Sequence, residues 1–179
     1  MPGSDEELMQ RLQRGEVRAF DQLYERYRGP LYSFILRLTQ DSAQAAEVYQ
    51  DTFIRVLQRA ERYDSRHRFS TWIYTIAHHL CVDRLRARRP QVSIEQVAEM
   101  LPAADEGVEA RMECRQQTDR ALRALGTLPA EQRAAVLLRV VHGYSQQEAA
   151  QIAGVPEGTI KSRLHYALEK LRQILEEEA

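Results

Sequence analysis

The chain has 179 residues, enough for one domain or two small ones, and 44% of them are apolar, which suits packed cores and excludes general disorder. No apolar run approaches a membrane span, and the start, MPGSDEELMQ, is acidic and lacks the basic and apolar regions of a signal peptide. Cys81 and Cys114 are too few for a disulfide framework or a cysteine-based zinc site, so a cytoplasmic protein with reduced thiols and no metal or cofactor is expected.

The net charge of -1 hides a segregated distribution. Residues 1–90 hold 15 Arg and 12 acids, residues 91–113 hold 1 Arg and 6 acids, and residues 114–179 hold 9 basic and 8 acidic residues. Within residues 62–89 there are 7 Arg against 2 acids. Local patches therefore matter more than the total, and modest positive patches predict weak, salt-sensitive DNA affinity for the isolated chain.

In chain order, residues 5–13 pattern a short helix with Leu8 and Leu12 one turn apart, broken by Gly15. Phe20, Leu23, Tyr24, Tyr27, Leu31, Phe34, Ile35 and Leu38 form a helical stripe, in which Gly29-Pro30 predicts a kink or two abutting helices. Thr39 to Ser42 is a polar connection. Ala45, Tyr49, Thr52, Phe53, Val56, Leu57 and Ala60 make the next helix, ending near Arg62. A charged segment without apolar period covers residues 61–68. A further helix starts at Ser70 or Thr71 and runs to Arg89, burying Phe69, Ile73, Ile76, Ala77 and Leu80, until Pro90 stops it. Arg84, Arg86, Arg88 and Arg89 make its end basic, which suits the negative end of the helix dipole without any ligand.

Residues 91–113 change character: acidic, with Pro102 and Gly107 and a short apolar set at Ile94, Val97, Met100 and Leu101. They read as an interdomain linker with at most one helical turn. Fully extended, such a linker reaches roughly 75 Å, against about 70 Å for two turns of B-DNA. The sequence leaves open whether the two halves sit apart or closed on each other. Ala121, Leu122, Leu125 and Leu128 then pattern one helix, and Val136, Leu137, Val140 and Val141 pattern another after Pro129, ended by Gly143.

The stretch YSQQEAAQIAGVPEGTIKSRLHYALEKLR reads as two helices around a tight turn. Ser145 and Glu148 form a capping box. Gly154 can take positive φ and end the first helix. Pro156 fits the first turn of the second. Ile160, Leu164, Ala167, Leu168, Leu171 and Leu175 make the apolar stripe of that second helix, so Thr159, Ser162 and Tyr166 point away from it, flanked by Gly158, Arg163 and His165. This is a helix-turn-helix, able to place the start of its second helix at base edges in a major groove.

Two blocks of the chain resemble a known family. LPAEQRAAVLLRVVHGYSQQEAAQIAGVPEGTIKSRLHYALEKLR looks like domain 4 of a bacterial sigma factor of the extracytoplasmic-function class. AFDQLYERYRGPLYSFILRLTQD, AAEVYQDTFIRVLQ and FSTWIYTIAHHLCVDRLRARR look like sigma domain 2. The resemblance implies an all-α chain of two small helical domains, residues 1–90 and 114–179, joined by the linker. It implies an alternative initiation factor that rides on core RNA polymerase (β′ clamp helices and β flap), reads promoter DNA, and is held by an anti-sigma protein. It places Gln50, Asp51 and Arg55 at the polymerase, with Phe53 and Val56 in the core. It places Tyr63, Arg66, His67, Arg68, His79 and Arg84 at the minus-ten element, with Trp72 read as core before stacking platform. It places Gly158, Thr159, Lys161, Ser162, Arg163, His165 and Tyr166 at the minus-thirty-five duplex, Arg163 being the expected grip on phosphate or guanine. The family usually carries Arg-Asn at His78-His79 and often Arg at Tyr166, so the bases read are left open.

Two other classes fit less well. His78, His79, Cys81 and Asp83 lie close in sequence, but on a helix only His79 and Asp83 share a face, and no second ligand cluster, phosphate loop or nucleophile elbow is present. A one-component helix-turn-helix regulator would leave the Arg-rich helix unexplained, along with a linker that has no dimerisation heptad.

Overall fold

The computed structural model describes residues 3–87 and 108–177, with the backbone alone for 108–116. Arg88, Arg89, Pro90 and the acidic stretch up to Gly107 lie outside the described residues. Every regular element among the described residues is helical.

The N-terminal half holds α1 (Asp5–Gln13), α2 (Val17–Thr39), α3 (Ser42–Arg59), a 3-10 turn (Ala60–Arg62) and α4 (Phe69–Ala87). α1 starts at a capping box between Ser4 and Glu7 and buries Leu8 and Met9. Its Asp5 accepts from Arg26 at 2.6 Å and from the Tyr27 hydroxyl at 2.5 Å, which ties it to α2. α2, α3 and α4 pack around Leu23, Leu31, Phe34, Ile35, Val48, Phe53, Val56, Phe69, Ile73 and Leu80.

Of the two outcomes expected at Gly29-Pro30, two abutting helices are not what forms: α2 runs through both residues as one helix. Both are solvent-exposed, while Leu23, Tyr27, Leu31 and Phe34 are buried on the opposite side. An interior proline costs about 3 kcal/mol, and burying each large apolar side chain returns roughly 1.5–3 kcal/mol. Burial on both sides of Pro30 therefore outweighs the lost hydrogen bond.

The C-terminal half holds α5 (Val108–Gly126), α6 (Ala130–Val136), a π-turn (Leu137–Val141), α7 (Gln146–Ala153) and α8 (Glu157–Glu177). α5 begins inside the segment expected to be linker. The helix expected through Val140 and Val141 ends instead in wide bonds, a π-type one from His142 N–H to the Leu137 carbonyl at 2.9 Å and a wider closing one from Tyr144 N–H to that of Leu138 at 3.0 Å. The wider turn shifts the buried face by one residue: Leu137 and Leu138 are buried and Val140 and Val141 exposed. The α8 stripe holds at Ile160 and Ala167, while Leu168 lies outside it and is 44% exposed.

The two halves are closed on each other. α4 packs against α7, and α2 and α4 against α6. Arg133 of α6, buried, donates to the Leu38 carbonyl at the end of α2 and to the Leu128 carbonyl, both at 3.1 Å. That satisfies backbone acceptors which a helix C-terminus otherwise leaves orphaned.

Candidate nucleic-acid interface

Residues 63–68 form a bent loop between the 3-10 turn and α4. The loop is pinned from below by Tyr63, which is buried, packs edge-on against Phe69 and donates from its hydroxyl to the His67 carbonyl at 2.5 Å. Phe69 N–H, at the start of α4, is fixed by Glu6 of α1 at 3.0 Å. Above this floor opens a groove of about 490 Å³, walled by Arg62, Arg66, His67, Arg68, Thr71 and Trp72 from the N-terminal half. Trp72 is half-buried: it rests against Tyr63, with ring centroids 5.0 Å apart, and also faces the groove. It is thus a core residue with one exposed side, a combination that helical spacing alone does not reveal.

Arg66 forks onto Asp64, with Nε–Oδ2 2.9 Å and Nη2–Oδ2 2.6 Å, and these bonds hold the exposed Asp64 carboxyl down at about 2. Arg68 reaches the other half and pairs with Glu148 of α7 at 2.8 Å. Glu148 is also the capping-box partner of Ser145, receiving its N–H at 2.8 Å. Glu148 and Gln151 thereby complete the wall of the groove. Of the residues expected at the minus-ten element, Tyr63, Arg66, His67 and Arg68 come together here. His79 and Arg84 do not line the groove. His79 is exposed and lies beside Gly154, where an added Cβ would stand 3.5 Å from its Nε2. Arg84 turns to α3 and pairs with Glu47 at 2.5 Å and Asp51 at 3.1 Å.

The helix-turn-helix is built as its sequence specifies. Ser145 and Glu148 make the reciprocal capping box, and Gly154 takes φ 67°, a left-handed conformation that disfavours a side chain. Pro156 sits one position earlier than expected: α8 starts at Glu157, and the Pro156 carbonyl accepts from Thr159 N–H at 3.0 Å. Gly158, Lys161, Ser162, His165 and Tyr166 are exposed on one face of α8, with Thr159 half-buried at its edge. Arg163 stands nearer the buried stripe, 24% exposed and 3.9 Å from Glu131 of α6.

On α3, Gln50 is exposed and Asp51 and Arg55 are half-buried. Between and beside them Ile54 and Leu57 are 51% and 47% exposed. Leu57, expected in the helix core, therefore joins a mixed polar and apolar patch of the kind that marks a protein contact. The exposed Ile54, three residues before Leu57, is the signal for that patch in the sequence.

No group of three or more His, Cys, Asp or Glu able to hold a metal occurs among the described residues. No helix there is long and apolar enough to cross a membrane.

Comparisons with known proteins agree with this geometry. The family model for sigma-70 region 2 matches residues 23–91, and that for sigma-70 region 4 matches residues 118–171. The chain is 34% identical over 159 residues to the ECF RNA polymerase sigma factor SigL of Mycobacterium tuberculosis, covering 87% of this chain and 88% of that one. It is 35% identical over 176 residues to SigM of the same species, covering 96% and 85%. It is 31% identical over 172 residues to the RNA polymerase sigma factor CarQ of Myxococcus xanthus, covering 94% and 96%. In fold it is similar to CnrH, solved with the cytosolic domain of CnrY, with TM-score 0.73, 24% identity and coverage of 99% and 100%. It is likewise similar to RpoE of Bartonella quintana, solved with the anti-sigma factor NepR, with TM-score 0.69, 23% identity and coverage of 88% and 96%.

An all-α chain with a region 2 body followed by a region 4 helix-turn-helix body is a sigma factor. The chain belongs to the extracytoplasmic-function RNA polymerase sigma factors of the sigma-70 family. It is an alternative transcription initiation factor that directs RNA polymerase to promoters.

Proposed function

We propose that residues 1–90, 91–113 and 114–179 act as a domain 2, a connection and a domain 4. Three surfaces divide the work. The α3 patch of Gln50, Asp51 and Arg55, with Ile54 and Leu57 between and beside them, docks on the β′ clamp helices, and domain 4 meets the β flap. The groove between Arg62 and Trp72 captures an unpaired minus-ten strand, its Arg side chains on phosphates and its aromatic wall against a base. His79 and Arg84 extend that basic track along α4. The exposed α8 face of Gly158, Thr159, Lys161, Ser162, His165 and Tyr166, with Arg163 at its edge, reads the minus-thirty-five duplex. Sequence discrimination and strand capture are the protein's contribution, and RNA synthesis belongs to the polymerase.

The observation carrying this reading is the groove: cationic, aromatic-walled, and shaped by a loop braced through the Tyr63 hydroxyl. Two promoter elements about two helical turns apart cannot be engaged while α7 closes that groove, so the halves separate on the polymerase. We also assign an anti-sigma partner to this chain, on its family membership and on the NepR complex of the similarly folded RpoE. Run-off transcription with core polymerase tests the assignment. Arg68→Ala is expected to lower product on a fully duplex promoter and to lose most of that defect on a template pre-melted across the minus-ten region. An equal defect on both templates would remove strand capture from Arg68.

A further inference from the structure

The contact between the two halves contains an ionisable group that neither promoter reading nor polymerase docking uses. His142 lies just after the π-turn of the C-terminal half and inserts its ring into the N-terminal half. Phe34 of α2 meets it edge-on, with centroids 5.6 Å apart, and Tyr74 of α4 packs at 5.1 Å. The Tyr74 hydroxyl lies 3.2 Å from His142 Nδ1, while Nε2 is buried without a partner. Tyr144, two residues on, packs against Tyr74 as well.

The surroundings are poor in acceptors for a second imidazole proton. From α2 the charged group facing His142 is Arg37, and from α4 the titratable group in contact with it is the Tyr74 hydroxyl. From α6, Arg133 donates from its two terminal nitrogens to the Leu38 and Leu128 carbonyls. Within the π-turn, Arg139 donates to the Tyr144 carbonyl. The acid that bridges the two halves, Glu148 of α7, is already engaged by Arg68 and by Ser145. Elsewhere at this contact, His78 of α4 is also buried with an unpartnered Nδ1, and the charges around it are His79, Arg86 and Arg163 of α8.

We propose that His142 is an acid-sensitive latch: the neutral imidazole lets the C-terminal half close over the basic groove, and protonation opens the two halves. Closure buries the ring between Phe34 and Tyr74, and a charged ring would lie desolvated beside Arg37 with one N–H unsatisfied. Opening hydrates it. Burial first, and Arg37 second, hold His142 at about 4 in the closed chain, against an ordinary value of 6.5. The sign follows from linkage. A group whose closed-state value is lowered binds its proton more readily in the open state, so the closed state is favoured above 6.5 and loses ground as pH falls from there toward 4. Between pH 7.5 and 5.5 the closed-to-open ratio falls about tenfold through His142 alone. Glu148 and Arg68 do not oppose this window: the Ser145 bonds and Arg68 hold the Glu148 carboxyl below its usual range, so that pair persists.

Small-angle scattering on the full chain from pH 8 to 5, with circular dichroism at each point to confirm retained helix, tests the latch. The radius of gyration is expected to be that of a closed molecule at pH 8 and to rise as pH falls below 6.5, with helix content constant. His142→Phe keeps an aromatic ring without a proton site and should stay closed to lower pH. His142→Gln provides the same comparison should the Phe variant lose helix. A radius independent of pH, an extended chain already at pH 8, or expansion unchanged in both variants would overturn the proposal. None of these measurements involves DNA or polymerase, so they stand apart from the promoter assignments.

Discussion

Arg84 on α4 binds Asp51 on α3 at 3.1 Å while its other terminal nitrogen holds Glu47 at 2.5 Å. A residue expected at DNA and one expected at polymerase therefore share a bridge. The pair lies near the surface, with side chains 40% and 41% exposed, so its own contribution to stability is small, about 0.2–1 kcal/mol. Its consequence is positional. Asp51→Ala is expected to lower core polymerase affinity and also to free Arg84, while Arg84→Ala releases Asp51. In a pull-down with core polymerase, both variants should bind several-fold more weakly than the parent, with melting temperatures within a few degrees of it. Parental binding by Arg84→Ala would show that the bridge does not orient Asp51.

Ile54 and Leu57 extend the same patch with exposed apolar surface. Truncating either to Ala removes no core contact, so folding stability should change by less than about 0.5 kcal/mol. Affinity for polymerase should fall by roughly 1 kcal/mol or more if the side chain is buried in the docked complex. Chemical denaturation beside the pull-down separates the two effects, and unchanged affinity for both variants would take apolar contact out of the docking patch.

Arg163 gives a cleaner test of domain 4. Its nearest acid, Glu131, is 3.9 Å away, too far for a strong pair. Arg163→Ala should leave thermal stability within about 0.5 kcal/mol of the parent and cost roughly 1–3 kcal/mol at the minus-thirty-five element. Promoter binding by the assembled holoenzyme, on templates with and without that element, is the measurement. An equal loss on both templates would move Arg163 from base reading to general phosphate contact.

Tyr63 and Trp72 separate bracing from contact. Tyr63→Phe deletes the hydroxyl that holds the His67 carbonyl, which should cost about 1 kcal/mol of stability and slow promoter opening by loosening the loop. Trp72→Ala should cost both stability and affinity for an unpaired minus-ten oligonucleotide, the stacking share being roughly 1–3 kcal/mol. Fluorescence anisotropy with the holoenzyme reads the second effect. If Trp72→Ala binds the oligonucleotide like the parent, the aromatic wall is scaffold only.

The helix-turn-helix has its own stability test. Ser145→Ala removes the cap of α7 and should cost about 1 kcal/mol. Gly154→Ala forces a side chain into φ 67° and should cost about 1–2 kcal/mol. Both are read from thermal melts. A neutral Gly154→Ala would mean that the turn relaxes to another conformation.

The amino-acid sequence by itself determined the features that depend on neighbours a few residues apart. Ser145 with Glu148, Gly154 and the Ile160 to Ala167 spacing sufficed for two helices and their turn, because capping, positive φ and helical period are local properties. The division into two helical bodies was legible for the same reason. Local rules failed where distant burial opposed them. Pro30 sits in an unbroken helix because Leu23, Tyr27, Leu31 and Phe34 around it are buried, Tyr27 against Phe69 and Phe34 against Tyr74 of α4, and the π-turn left Val140 and Val141 outside. Tertiary structure alone decided what meets across the molecule. Arg68 and Glu148 are 80 positions apart, and Tyr74 and His142 are 68 apart. No periodicity in either segment encodes their encounter, since it arises from shape and charge matched between surfaces far apart in the chain.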